Sequence, residues 1–172
     1  MVSDNSILLM IISIIISLLI PIGLIVFFRK REKISMKPVF IGMLIFFVFT
    51  QILEKILHLI VIGNNLISNA ILFSIYGAFA AGIFEEVGRF IAFKTLLKEN
   101  REWKDGIAYG LGHGGIEFIL IGAIGMIQSL IFSFMINNGT FDTLITSKLQ
   151  GSQFEQLNQL KEQIINSVLC SK

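Results

Sequence analysis

The chain of 172 residues is poor in almost everything a soluble domain uses to face water or to staple itself together. It has one cysteine, two prolines, two histidines, one tryptophan and two tyrosines, and only 15% of its residues are charged. A lone Cys170 excludes an internal disulfide and any multi-cysteine metal site. A charged share well below the usual quarter leaves too little polar surface to cover a soluble fold. No phosphate-binding glycine loop, nucleic-acid signature or Ser-His-Asp set is visible, and the His-Glu-x-x-His helix of soluble zinc proteases is absent.

What is abundant is apolar bulk. Hydrophobic residues make up 54% of the chain, sixteen of them phenylalanine. The apolar stretches are long enough to cross a bilayer, which takes about 20 residues of helix. Four are expected, at about 7–28, 39–62, 66–97 and 106–136. The first follows an acid, Asp4, with no base before it and no small-residue cleavage site after it, so it reads as a retained span rather than a signal peptide. Pro21 is a candidate kink in it. The third is too long for one straight span, roughly 48 Å at 1.5 Å per residue. It is expected to tilt, to break near Gly77–Gly82, or to extend past the membrane face. The fold expected is an all-α membrane protein, a bundle of about four transmembrane helices in residues 1–136. A polar tail, 137–172, follows with an amphipathic segment over Phe154–Leu169.

The bases are unevenly spread. The loops at Arg29–Pro38 and Lys98–Asp105, with Lys94, hold nine of the fourteen Lys and Arg, whereas the N-terminal tail and the Gly63–Asn65 turn hold none. The positive-inside rule then puts both loops in the cytoplasm and the N-terminus outside, in a multi-pass protein of a bacterial plasma membrane.

Ionisable groups inside these spans cost several kcal/mol each and mark functional positions. One cluster is Glu85-Glu86-Val87-Gly88-Arg89, in which both carboxylates lie within reach of the guanidinium at i, i+4 and i, i+3. A second is His113-Gly-Gly-Ile-Glu117, with His113 and Glu117 on one helical face and Gly110, Gly112, Gly114 and Gly115 stripping that turn of bulk. Counted from the loop between them, both clusters lie about 12–18 Å into their spans. Consecutive antiparallel helices should therefore bring them together. A third pair, Glu54 and His58, lies nearer the opposite face beside Lys55 and reads first as a local pair.

A desolvated carboxylate near a histidine can activate water, and a histidine or arginine can stabilise the resulting oxyanion. The same side chains, with His113, Glu86 and Glu117 as ligands, would instead suit a zinc ion that lowers the pKa of bound water. The residue types alone leave both open. They also leave open a non-catalytic membrane partner or immunity-type protein that keeps the cluster as structural glue, and a small transporter.

Glu85-Glu86-x-x-Arg89, followed by Tyr109-x-x-x-His113 and the string Gly-Leu-Gly-His113-Gly-Gly-Ile-Glu117, resembles the YhfC family of bacterial intramembrane proteases. That family is related to the CAAX prenyl endopeptidases and bacteriocin-processing enzymes, and more distantly to the PrsW-type proteases. The CAAX group has one more residue before its arginine, so the match is to YhfC. The resemblance implies an endopeptidase acting on a membrane-associated peptide or protein. It implies Glu85 or Glu86 as the water-activating base and His113 as oxyanion stabiliser or metal ligand; Arg89 and Glu117, matched to them in depth, complete the candidate catalytic set. It also implies a longer protein, with a further helix carrying another histidine. No histidine follows His113 here, so a truncated C-terminus or an incomplete site is expected.

Overall fold

The computed structural model describes residues 1–141 together with 159, 161, 162 and 164. Four helices are long and apolar enough to cross a membrane: α1, Asp4–Arg31; α2, Met36–Gly63; α3, Ala70–Leu96; and α4, Trp103–Asn137. No strand occurs among the described residues. Between 6 and 17% of each apolar window is buried, so the hydrocarbon side chains face outward, as lipid rather than water requires.

The helix ends follow from local chemistry. Asp4 opens α1 and Arg29, Lys30 and Arg31 close it, each charge set against the opposite end of the helix dipole. The Ser35 side chain accepts from the Lys37 amide at the start of α2. Asn69 accepts from the amides of Ile71 and Leu72 at the start of α3. Glu102 and Asp105 form a reciprocal capping box on α4. The Asn69 cap leaves 66–69 outside α3, which then runs unbroken through Gly77 and Gly82. The break expected there does not occur, because capping shortens the span and neither glycine is under steric load. α1 likewise continues through Pro21. Three wide π-helical segments lie inside the helices, at Phe47–Glu54, Ala92–Leu96 and Phe118–Ile124.

By contacts the chain divides into two units: Met1–Leu19 with Ile119–Lys172, and Ile20–Phe118. In the first, Val2, Ile136, Phe141 and Ile164 form an apolar cluster. Its polar tie is reciprocal: the Val2 amide donates to Asn137 Oδ1 at 2.7 Å, and Asn137 Nδ2 donates to the Val2 carbonyl at 3.0 Å. The amphipathic segment expected over Phe154–Leu169 lies outside the described residues at all but four of its positions.

In the second unit α2 is the hub. It meets α4 where side chains are missing on both sides: a Cβ at Gly42 would strike the Tyr109 carbonyl, and one at Gly112 would strike the Val39 carbonyl. It meets α3 at Gly88, where a Cβ would lie 2.9 Å from both Ile45 Cγ2 and Phe49 Cγ. Apolar contact without water cannot drive this association in lipid, so close approach at small residues does. Around these seams Ile34, Val39 and Ala108 form one buried cluster and Ile45, Ala92, Leu97 and Tyr109 another.

The Glu54–His58 pair belongs to this packing. His58 Nδ1 lies 2.8 Å from the Tyr76 hydroxyl of α3, and His58 Nε2 lies 3.2 Å from Glu54 Oε1. With its hydrogen on Nε2, the ring accepts from the tyrosine and donates to the carboxylate, so all three groups are satisfied. The relay ties α2 to α3 through side chains, and Tyr76 is the member that the sequence reading did not single out.

Two outcomes are expected. Gly112→Ala should destabilise the protein by about 1–3 kcal/mol through overpacking, whereas Gly110→Ala, whose Cβ meets nothing within 4 Å, should leave thermal unfolding in detergent unchanged. Tyr76→Phe should cost about 0.6 kcal/mol, the average for an interhelical hydrogen bond in a membrane protein, and no more than about 1.7, read by the same unfolding measurement.

Candidate active site

The second unit brings four of the five expected catalytic residues to one place. Glu85, Glu86 and Arg89 of α3 and His113 of α4 line a cleft of about 380 Å³, with Phe93, Tyr109 and the open glycines Gly106, Gly110 and Gly114 as the rest of its wall. The three glycines are there for space: none has a neighbour within 4 Å of where a Cβ would stand. They differ in this from Gly42 and Gly112, which the packing requires.

His113 is held in place by aromatic rings. Buried Phe46 of α2 meets it edge-on, ring centroids 5.2 Å apart. Tyr109, one turn earlier on α4, is buried, and its hydroxyl lies 3.5 Å from His113 Nδ1. Tyr109 rests in turn on Phe93 of α3 at 5.1 Å. When the tyrosine hydroxyl donates to Nδ1, the neutral ring carries its hydrogen on Nε2, free to face the cleft.

The two adjacent glutamates have different surroundings. Glu86 is exposed and ion-paired with Arg89. Glu85 is half-buried and has no ion-pair partner among the described residues. Adjacent helical positions point about 100° apart, which lets one arginine hold one carboxylate and leave the other.

Glu117 is the expected residue that does not line the cleft. The cleft wall on α4 ends at Gly114, and Glu117 lies three residues further, about 4.5 Å along the axis. A π-helical segment begins at the next residue, Phe118. The ligand set His113, Glu86 and Glu117 is likewise not gathered: among the described residues no three His, Cys, Asp or Glu side chains are grouped so as to hold a metal ion. The donor types in the cleft, two carboxylates and an imidazole, are ones zinc accepts, but their placement is not a coordination site.

Sequence reasoning missed Phe46 and Phe93 as supports of the histidine. Phe46 sits in a long apolar run and Phe93 in the short one between Arg89 and Lys94, and with sixteen phenylalanines to choose from no local signal marks either.

The chain is similar to the "Uncharacterized membrane protein YhfC" of Bacillus subtilis (strain 168), 38% identical over 172 residues, an alignment covering 97% of this chain and 66% of the relative. The chain therefore spans just under two thirds of that protein's length. No solved structure matches it. The family model for "YhfC intramembrane metalloprotease" matches residues 16–170, which includes every residue of the cleft. With its double glutamate, arginine and histidine gathered between two membrane-spanning helices, the chain belongs to the YhfC intramembrane metalloprotease family.

Proposed function

We propose that this chain carries the catalytic cleft of an intramembrane endopeptidase, hydrolysing a peptide bond of a membrane-associated substrate. The observation that carries the reading is the meeting of Glu85, Glu86, Arg89 and His113 in one cleft between α3 and α4.

In this reading Glu85 is the general base, because Arg89 already holds Glu86. Glu85 takes a proton from water, and the hydroxyl oxygen attacks the scissile carbonyl carbon. The carbonyl π pair moves to oxygen, and His113 Nε2–H donates to the oxyanion that forms. The carbon–nitrogen bond then breaks, and the proton on Glu85 passes to the leaving amine. Arg89 positions Glu86, and the Gly106, Gly110 and Gly114 wall lets an extended substrate backbone approach. Glu117, one turn beyond His113, adds negative potential near the cleft rather than touching the reacting atoms. The two basic loops are assigned to the cytoplasmic face by the same charge asymmetry.

The family's description implies a metal ion. As placed, the described donors do not fit one, so the steps above use the chain's own side chains.

A membrane-anchored peptide library reconstituted with the protein, read by mass spectrometry, tests the assignment. Glu85→Gln should lower cleavage by about 10²–10⁴, the contribution of a positioned base, while Glu86→Gln should cost less and His113→Ala should fall with Glu85→Gln. Normal turnover in Glu85→Gln, Glu86→Gln and the double variant would sink the hydrolytic reading. Loss of stability in His113→Ala with no rate change would favour structural glue.

Metal content distinguishes the two routes to hydroxide. Zinc measured in the detergent-purified protein should be substoichiometric and equal in wild type and His113→Ala. One zinc per chain, lost in the variant, would mean that the donors regroup around a metal, and would replace base-activated with metal-activated water.

A further inference from the structure

A second cavity adjoins the cleft at the loop end of α3. It has a volume of about 530 Å³ and is lined by Glu86, Arg89, Phe90, Phe93, Lys94 and Arg101. It shares Glu86, Arg89 and Phe93 with the cleft, but the mechanism above makes no use of the other three.

Its charge is out of balance. Three of the six lining residues are cations and one is a carboxylate, which Arg89 already holds. Lys94 and Arg101 have no carboxylate partner among the described residues. Arg101 donates instead to the main-chain carbonyls of Phe93, at 2.7 Å, and Lys98, at 3.0 Å, which fixes its guanidinium at the cavity edge. The Lys94 ammonium stands 5.2 Å over the Phe90 ring, and that ring is 62% exposed.

Position along the helix identifies what this arrangement suits. Lys94 is two residues from the end of α3, and a helix of this length outruns the roughly 30 Å hydrocarbon core, which sets its last turn among the headgroups. Arg89 lies five residues before Lys94, about 7.5 Å further in. Cations at the boundary, with an exposed aromatic face leading inward, match a ligand with an anionic head and an apolar tail. A soluble anion would use the cations and leave the Phe90 face uncovered. Basic pockets beside transmembrane helices at a membrane face hold lipid headgroups in this way.

We propose that this cavity binds the phosphate headgroup of an anionic phospholipid, with an acyl chain lying along Phe90. The site goes beyond the hydrolytic reading and does not depend on it, since lipid binding is measured without cleavage.

The test uses the full chain in phosphatidylcholine nanodiscs, with phosphatidylglycerol titrated in and retained lipid counted by native mass spectrometry. Wild type should retain phosphatidylglycerol in preference to phosphatidylcholine. Lys94→Gln should reduce that preference about fivefold, and Lys94→Gln/Arg101→Gln about thirtyfold, at the usual contribution of one base near a membrane surface. Lys94→Arg should restore it. Lys55→Gln, which removes a base bonded to Gln51 elsewhere on α2, should leave it unchanged. Arg101 also ties down the chain after α3, so Lys94→Gln alone decides the matter if the double variant does not fold. Equal retention of the two lipids by wild type, or an undiminished preference in Lys94→Gln, would overturn the proposal. Displacement of phosphatidylglycerol by millimolar inorganic phosphate alone would overturn the lipid assignment and give the site to free phosphate.

Discussion

The geometry of the cleft depends on how closely α2 can approach α4. Gly42 lies against the Tyr109 carbonyl and Gly112 against the Val39 carbonyl, so backbone meets backbone without an intervening side chain. In lipid, where burying a methyl group gains little, this is the contact that holds two helices in a fixed register. It sets Phe46 edge-on to His113, whose imidazole lines the cleft together with residues of α3. A side chain at either glycine would move the ring as well as the helix. The same helix, α2, carries Ile45 and Phe49 against Gly88 of α3, one residue before Arg89. Both walls of the cleft are thus registered against one central helix.

The second constraint is electrostatic. A carboxylate inside a span needs a partner, and Arg89 supplies one for Glu86. Glu85, at the neighbouring position, is half-buried and has no such partner. Identical side chains thereby acquire different roles from a difference of about 100° around one helix. Pairing also places an exposed arginine between two cavities, one leading to His113 and one to Lys94 and Arg101. An anion in the second cavity would compete with Glu86 for that guanidinium, which gives the surrounding lipid a route to the chemistry.

The family match covers every residue of the cleft, and the family's description and the placement of the cleft's donors differ on the metal. The relative in Bacillus subtilis extends beyond the part this chain covers, so a ligand or wall supplied from outside these residues would reconcile the two. The exposed pair of Glu86 and Arg89 on a membrane-spanning helix needs cover from lipid headgroup, water or protein.

The sequence by itself determined the membrane environment, the four spans and the identity of the ionisable residues within them. Bilayer thickness and the cost of a charge in hydrocarbon act on composition directly, without reference to the fold. It also placed Glu85, Glu86, Arg89 and His113 at one depth, since helical rise converts residue number into distance. Only tertiary structure decided that Glu117 does not line the cleft, that Phe46 and Tyr109 pack against the histidine, and that His58 reaches Tyr76. These depend on the azimuth and register of packed helices. Such quantities come from glycine positions on two chains of residues at once, and a pattern read along one helix does not contain them.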